Sequence, residues 1–255
     1  MTSLILTQPN YLPWRGLIDH LGIADRICIY DSIPLPRASG GRSKGFSTRV
    51  QILNNGVKSW LTIPVSSSHL SGGTKINDIN ITSEYWPKKH IKTLHNSYCK
   101  TKSYKQVNKA VIEPLFSIIE DDINLNEFLT QSMRLLLQSF GYQDKHFYSS
   151  SADVPCCDNL EKTSKLIHHC KYFECDTYIS GLGALNYIDH SEFESNSIEV
   201  FYMDYNFSTY TQPGLSSFDP YVTSLDYLCN TGMPESYVPK SSIINWRDAL
   251  TNFSG

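Results

Sequence analysis

The 255-residue chain lacks several features that would assign it to a membrane, secreted or nucleic-acid-binding class. It has no apolar run near the roughly 20 residues that span a bilayer, and its first residues carry no basic segment or cleavage signal typical of secretion. It has no excess of basic charge, since the formal net charge is −3. A protein whose main ligand is nucleic acid normally carries a basic patch. We therefore expect a cytoplasmic protein with no membrane span and no nucleic acid as its main ligand.

Motifs for common cofactors and metals are also missing. The seven cysteines form no C-x-x-C pair, as a reducing compartment permits. Zinc ligands usually come in close pairs at defined spacing, and His90 and His95 stand five apart rather than four. There is no phosphate-binding loop, G-x-S-x-G elbow or H-E-x-x-H motif. We expect no metal and no cofactor, and the missing phosphate loop disfavours an ATP-using ligase.

Short apolar runs alternate with segments of helical periodicity. Residues 3–7 and 26–30 are predicted strands on either side of a helix at 13–24, and later strands are predicted at 176–180 and 198–203. This β–loop–α–β order is typical of parallel strands joined by right-handed crossovers. The sequence therefore predicts an α/β fold with a mostly parallel sheet and helices on both faces.

Two insertions interrupt this pattern. Asn54-Asn-Gly56 separates two β-prone runs, at 48–53 and 60–65, and predicts a β-hairpin. A helical segment follows in the middle of the chain, beginning near Trp86.

Capping and loop signals refine the boundaries. Asn124 with Glu127, and Asp158 with Glu161, stand at capping-box spacing and predict two helix starts. Residues 34–45 are rich in Pro, Gly, Ser and basic side chains and predict a mobile loop.

Three polar clusters follow predicted strands, where open α/β sheets bind ligands. The first is Gln8-Pro-Asn-Tyr-Leu-Pro-Trp14. A strand end followed by a helix start points backbone N–H groups at one spot, which favours an anion. Gln8 and Asn10 add amide donors and acceptors, Tyr11 adds a hydroxyl and a ring, and Trp14 is a further candidate ligand contact. The alternative interpretation is a loop held by its own side-chain hydrogen bonds.

The second cluster combines Asp31 with cations. A carboxylate binds an amine or a ribose hydroxyl, and Arg49 is suited to bidentate phosphate binding. The loop cations Arg37, Arg42 and Lys44 are weaker candidates, because charged Gly/Ser segments are usually solvated.

The third cluster is Ser180, Gly181 and Gly183, with Tyr187 beyond it. Glycine allows a ligand to approach the backbone closely, although an ordinary strand-to-helix turn would have the same composition. We expect strand ends to bring Ser180 into one shared hollow with Gln8, Asn10, Asp31 and Arg49.

Individual titratable residues give less certain candidates. His95, near Tyr98 and Lys100, is a candidate acid–base group, as is His90, although a lone histidine is more often structural. Asp226 lies in an apolar helix, where a carboxylate needs a partner, and is either a buried cap or a site residue.

Taken together, these residues make the chain resemble the WbqC-like protein family. Members of that family are encoded among polysaccharide and O-antigen biosynthesis genes. The resemblance runs over about residues 3–232 of a single 1–255 domain, leaving 233–255 as a tail. The motifs that carry it are Gln8 to Trp14, Tyr30-Asp31, Arg49, Trp60-Leu-Thr-Ile-Pro-Val65, Lys89-His90, Tyr98 with Lys100, Tyr178-Ile-Ser-Gly181, Gly183, Tyr187, Asp204-Tyr205 and Pro220 to Asp226. The family often has a histidine after Asp204-Tyr205, where this chain has Phe207.

The gene context implied by this resemblance suggests modification of a sugar precursor for O-antigen or lipopolysaccharide. The leading hypothesis is a transferase that N-acylates the amine of a nucleotide-linked amino sugar, with a thioester or an aminoacyl carrier as donor. Asp31 or His95 would act as general base, Gly181 to Gly183 or the Gln8 and Asn10 amides as oxyanion donors, and Arg49 as phosphate ligand. The alternatives are a non-catalytic nucleotide-sugar-binding partner of a glycan assembly complex and an ATP-using amide ligase.

Overall fold

A mostly parallel sheet forms the centre of the molecule in a computed structural model, which describes residues 1–35, 45–82, 84–119 and 122–253. Within these residues six strands form the sheet in the order β10-β9-β8-β1-β2-β7, with only β10 antiparallel to its neighbour. The strands are β1 (Ser3–Thr7), β2 (Arg26–Ile29), β3 (Arg49–Asn54), β4 (Val57–Thr62), β5 (Asn80–Thr82), β6 (Asp122–Asn124), β7 (Phe147–Ser149), β8 (Thr177–Ser180), β9 (Glu199–Asp204) and β10 (Ser242–Asn245). The remaining four form two small antiparallel sheets, β3-β4 and β5-β6.

Helices cover both faces of the central sheet, as the sequence predicts. They are α1 (Arg15–Ile23), α2 (Ser67–Gly72), α3 (Trp86–Tyr98), α4 (Tyr104–Val107), α5 (Glu113–Ser117), α6 (Leu125–Ser139), α7 (Lys162–Tyr172), α8 (His190–Ser195), α9 (Ser224–Thr231) and α10 (Trp246–Phe253). Alternate residues of one strand enter different cores: Ile5 packs with α1, α3, α6 and α9, whereas Leu4 packs with α7, α8 and α10. This period of two is the expected geometry of a sheet buried on both sides, and the α/β prediction is confirmed.

The order of strands creates a switch point beside β1. The chain runs from β1 outward to β2 and β7, then returns to β8 on the other side of β1 and continues to β9. Loops that follow β1 and β8 therefore diverge, and the crevice between them is where such sheets bind ligands. Gln8 and Gly181 are the first residues after these two strands.

The predicted hairpin is present, with β4 beginning three residues earlier than expected. Asn55 and Gly56 form its two-residue loop with φ of +50° and +78°, the left-handed pair that a type I′ turn requires. A Cβ added to Gly56 would lie 2.3 Å from the backbone oxygen of Gly214. The hairpin tip is thus packed directly on the later segment that carries Gly214.

Local start signals were only partly reliable. The Asn124 side chain caps α6 by accepting from the Glu127 N–H at 3.2 Å, which confirms that prediction. The prediction for Asp158 is wrong, because α7 begins at Lys162 after Glu161, and Asp158 instead binds Lys75 at 2.7 Å.

The C-terminal segment differs from the expected organisation, and most of the predicted mobile loop is not described by the structure. The segment treated as a tail supplies β10, which pairs with β9, and α10, which joins the α7–α8 core. Most of the predicted mobile loop, with Arg37, Arg42 and Lys44, lies outside the described residues.

Candidate functional site

An open cleft of about 380 Å³ lies between the loop after β1, the β3–β4 hairpin and the segment before α9. We call it the aromatic cleft. Its lining residues are Asn10, Tyr11, Pro13, Trp14, Phe46, Arg49, Val50, Gln51, Trp60, Tyr221 and Val222. It therefore brings together four of the predicted site residues, those at positions 10, 11, 14 and 49. Its volume lies within the range of small-molecule sites.

Long-range contacts hold the loop after β1 on three sides. The Tyr11 N–H donates to the Ser47 carbonyl at 2.9 Å, and the Leu12 N–H donates to Ser132 Oγ at 2.8 Å. The Ser224 N–H donates to the Pro13 carbonyl at 2.8 Å. Leu12 has a φ of +42°, a left-handed conformation that costs a non-glycine residue about 1–2 kcal/mol. The surrounding contacts maintain this strained backbone at the edge of the cleft.

Trp14 forms one wall of the cleft. Its ring stacks on Tyr221 at a centroid distance of 5.7 Å and contacts Tyr205 at 5.0 Å and Phe207 at 5.7 Å. The indole also folds over α1, where a Cβ on Gly16 would lie 2.3 Å from it. Glycine at position 16 is therefore what allows this orientation of the indole.

Arg49 provides the positive charge of the cleft. Its guanidinium carbon lies 4.2 Å from the ring centroid of Trp60, a cation–π contact. Its Nε is buried and has no hydrogen-bond partner among the described residues, and none of the described residues that line the cleft is an Asp or a Glu. A guanidinium with a buried, unpaired Nε favours an anionic ligand.

Exposed aromatic rings surround this cation. Phe46, Trp60 and Tyr221 are 62%, 43% and 64% exposed, although each lines the cleft. Clustered exposed aromatic surface is typical of a binding site rather than of a protein core. The combination suits a ligand with a planar ring and a negative charge.

Tyr11 connects the aromatic cleft to His90. Tyr11 Oη lies 2.9 Å from His90 Nδ1, and the two rings stack at 5.6 Å. Burial lowers the pKa of His90 to about 4, opposed by a hydrogen bond to the Thr62 backbone, and burial raises the pKa of Tyr11 well above 10. Both groups are therefore uncharged at neutral pH. The bond to the Thr62 carbonyl needs an imidazole N–H, which leaves Nδ1 to accept from the Tyr11 hydroxyl.

Asp31 is buried outside the aromatic cleft with both carboxylate oxygens occupied. Oδ1 accepts from Ser150 Oγ and the Ser151 N–H, both at 2.9 Å, and Oδ2 accepts from Asn126 Nδ2 at 2.7 Å and Ser149 Oγ at 2.6 Å. This network ties the ends of β2 and β7 to the start of α6. Four accepted hydrogen bonds leave little capacity for accepting a substrate proton, so this geometry favours a structural role for Asp31.

The other predicted acid–base candidate is remote from the aromatic cleft. His95 lies near the end of α3 with Nδ1 3.3 Å from Tyr104 Oη. Lys100 follows the same helix and is exposed. Neither residue is among those that line the aromatic cleft.

The third predicted cluster lies behind the Trp14 wall. A Cβ on Gly181 would be 3.7 Å from Tyr205 Oη, and Tyr205 in turn packs against Trp14. Ser180 is buried at the end of β8, whereas Gly183 and Tyr187 are exposed. None of these four predicted residues lines the aromatic cleft.

Gln8 and Asp226 support the cleft from outside. Gln8 Oε1 accepts from Ser47 Oγ at 3.3 Å, next to the strand of Arg49. Asp226 is buried, and its Oδ2 accepts from Tyr210 Oη at 2.7 Å and Gln212 Nε2 at 3.0 Å. Burial raises the pKa of Asp226, and these hydrogen bonds oppose the shift. Of the five residues expected to share one hollow, Asn10 and Arg49 line the aromatic cleft, whereas Gln8, Asp31 and Ser180 do not.

Several cleft residues were missed as site candidates. Phe46, Gln51, Trp60 and Tyr221 line the cleft without having been singled out as ligand contacts. A signal was present for two of them, because Trp60 and Tyr221 belong to the segments through which the chain resembles its family.

Residues 1–35, 45–82, 84–119 and 122–253 contain neither a cluster of metal-ligating side chains nor a membrane-spanning helix. No three His, Cys, Asp or Glu side chains in this part of the chain are grouped so that they could hold a metal ion. No helix within it combines the length and apolar character needed to cross a bilayer.

The fold and the cleft define an α/β protein with a candidate ligand site built on the loop after its first strand. The chain belongs to the WbqC-like protein family, whose model matches residues 8–237. It is similar to a protein of Mycobacterium tuberculosis (strain ATCC 25618 / H37Rv) described as "Uncharacterized protein Rv1507c". The two are 26% identical over 233 residues, which cover 91% of this chain and 95% of that protein. No solved structure matches the chain significantly.

Proposed function

We propose that the aromatic cleft binds a nucleotide-linked amino sugar and that the protein transfers an acyl group to the sugar amine. The reaction would belong to the cytoplasmic synthesis of polysaccharide or O-antigen precursors. The observation that carries the proposal is the unpaired Nε of Arg49 in a cleft walled by Trp14, Trp60 and Tyr221, with no carboxylate among the lining residues that the structure describes.

Each part of such a ligand matches a group in the cleft. The guanidinium of Arg49 suits phosphate oxygens, and the aromatic rings suit stacking of a nucleobase. The side-chain amides of Asn10 and Gln51 offer donors and acceptors for sugar hydroxyls. A ligand with only one of these parts would use only part of the lining.

The transfer forms one bond and breaks another. The sugar amine attacks the acyl carbonyl, a C–N bond forms, and the bond to the carrier sulfur or oxygen breaks. The amine proton must leave, and Tyr11 is the lining residue with a proton path, since its hydroxyl donates to His90 Nδ1. Tyr11 would accept the amine proton while passing its own proton to the neutral imidazole.

The test uses purified protein with nucleotide-linked amino sugars and a panel of acyl donors, with products followed by mass spectrometry. We expect a mass gain on the sugar, lost in Tyr11→Phe and weakened in Arg49→Gln. Arg247→Gln is the matched control, because Arg247 also lies over a tryptophan ring, that of Trp246 at 4.4 Å, but outside the cleft. No mass gain with any donor would refute the transfer.

A second candidate is binding without turnover, as part of a glycan assembly complex. The observation in its favour is that the pKa of His90, about 4, is far from the neutral value suited to a general base. It predicts that calorimetry detects nucleotide-sugar binding that Arg49→Gln weakens, while every donor fails and Tyr11→Phe binds normally. Release of nucleotide hydrolysis products would instead indicate an ATP-using ligase.

A further inference from the structure

A second cleft adjoins the aromatic cleft. It encloses about 830 Å³ between β4 and α3, and we call it the Trp86 cleft. Its lining residues are Asn54, Ser59, Trp60, Leu61, Thr62, Pro64, Glu84, Tyr85, Trp86, Lys89, His90 and Thr93. Trp60 lines both clefts, and the Tyr11–His90 hydrogen bond joins a residue of one to a residue of the other. The two clefts therefore meet at Trp60.

The free edge of β4 forms one side of the Trp86 cleft. The Ile63 N–H donates to the Thr48 carbonyl at 2.8 Å, and hydrogen-bonded pairs alternate along an antiparallel ladder. With the observed register, Val57, Ser59 and Leu61 therefore bond to β3, and the backbone groups of Lys58, Trp60 and Thr62 point away from it.

The two edges of this small sheet differ in their partners. On the β3 edge, the Gln51 carbonyl accepts from the Thr223 N–H at 2.8 Å, and the Leu53 N–H donates to Tyr98 Oη at 3.4 Å. On the β4 edge, the Thr62 carbonyl is taken by the hydrogen bond from His90, whereas within the described residues no backbone hydrogen bond to Trp60 is found on the cleft side. An open strand edge of this kind binds an extended chain through its amide groups.

A lysine-rich surface lies next to this edge. Residues 86–112 contain seven lysines and no Asp or Glu. All seven are exposed, and none takes part in the ion pairs between described residues. Lys89 lines the cleft, and helical spacing puts Lys88 and Lys92 on the neighbouring solvent face of α3. The entrance thus favours a ligand attached to an acidic partner.

We propose that the Trp86 cleft is the donor subsite and that it receives the pantetheine thioester arm of an acidic acyl carrier protein. The proposal rests on the function proposed above. The amide groups of the arm would pair with the outward-facing N–H and carbonyl of Trp60 on β4, and the carrier would dock on Lys88 and Lys92. The thioester would lie beside Tyr11 and His90, where the C–S bond breaks, the C–N bond forms, and the carrier thiol leaves with the amine proton.

The open edge of β4 favours a carrier-protein thioester over an aminoacyl group linked to RNA. An aminoacyl group carried on RNA would also be attracted by lysines, but it brings no amide-bearing arm for the edge of β4. RNA binding is therefore an outcome of the test that would count against the proposal.

The experiment measures the affinity of the full chain for four probes: holo acyl carrier protein, apo carrier protein, coenzyme A and bulk transfer RNA. We expect holo carrier to bind about ten-fold or more tightly than apo carrier, because only holo carrier has the arm. The double change Lys88→Glu and Lys92→Glu should weaken holo binding by about ten-fold at low salt, whereas Lys240→Glu, an exposed lysine elsewhere, should not. Thr93→Tyr, which fills the cleft, should remove the difference between holo and apo carrier.

Three results would overturn the proposal: equal binding of holo and apo carrier, preferential binding of transfer RNA, or coenzyme A binding as tight as holo carrier and insensitive to the lysine changes. Calorimetry with a nucleotide sugar is run on each variant in parallel. Sugar binding without carrier binding would defeat this proposal alone. Carrier binding without acyl transfer in the product assay would defeat the proposed function instead.

Discussion

The contact between Gly56 and Gly214 is the structural link between hairpin and cleft, and replacing Gly56 by alanine tests it. Gly56 has a φ of +78°, so alanine there costs about 1–2 kcal/mol in backbone conformation. Its Cβ would also lie 2.3 Å from the Gly214 carbonyl oxygen and 2.8 Å from Gly214 Cα. Because these are backbone atoms, the two segments must separate, at a further cost of about 1–3 kcal/mol. We expect the free energy of unfolding to fall by about 2–5 kcal/mol.

Gly141→Ala is the matched control. Gly141 also has a positive φ, +93°, but a Cβ there would lie 3.6 Å from the nearest atom of another segment, the Glu235 carbonyl oxygen, an ordinary contact distance. Only the conformational cost of about 1–2 kcal/mol should therefore appear. Urea unfolding of both variants, with unchanged m values, measures the difference. A Gly56→Ala variant no less stable than Gly141→Ala would refute the argument from packing.

The same substitution should alter ligand binding. The segment containing Gly214 is attached to the hairpin by the Lys58–Asp219 ion pair and by the Thr223 N–H, which donates to the Gln51 carbonyl. It also carries Tyr221, a wall of the aromatic cleft. Displacing the tip should therefore weaken nucleotide-sugar binding in Gly56→Ala but not in Gly141→Ala. Calorimetry on the two folded variants measures this, and equal affinities would show that the tip does not position the cleft.

Two further predictions concern buried polar groups. Burial lowers the pKa of His20 from 6.5 to about 4, so between these values the unfolded chain binds a proton that the folded chain does not, and stability is lost as pH falls from about 6.5 to about 4. His20→Gln can still donate to the Ile179 carbonyl and should reduce the slope of unfolding free energy against pH by up to about 1.4 kcal/mol per pH unit. An unchanged slope in urea titrations across this range would contradict the assignment. Asp31→Asn should lower the free energy of unfolding by about 1–3 kcal/mol, because donors that face one oxygen would then face an NH2 group. Asp158→Asn at the surface is its control, and equal urea midpoints for the two variants would rule out the proposed structural role of Asp31.

Much of the fold was predictable because its signals are local. The continuous apolar run Leu4-Ile-Leu6 indicates a strand buried on both faces, and Asn55-Gly56 suits only a few turn geometries. Asn124 caps its helix through a residue three positions away. The false cap at Asp158 has the same spacing, but its carboxylate binds Lys75, which is distant in sequence. Capping-box spacing alone therefore does not decide which partner a side chain takes.

The candidate site was predictable only in part. Asn10, Tyr11, Trp14 and Arg49 meet in one cleft, and the resemblance to a family had already included Trp60 and the segment of Tyr221. The sequence could not decide which of Asp31, His90 and His95 would act as the general base. A carboxylate after a strand and a histidine on a helix look equally available in the sequence, whatever their hydrogen bonds are.

The sequence by itself determined the strand and helix periodicity, the hairpin turn and the family, since each depends on residue types at short spacing. Only the tertiary structure decided which polar groups face a ligand and which are satisfied within the protein. Asp31 meets Ser149 across 118 positions, and Tyr11 meets His90 across 79. The physical reason is that a buried polar group must find a partner wherever packing supplies one, and that partner depends on the arrangement of the whole chain.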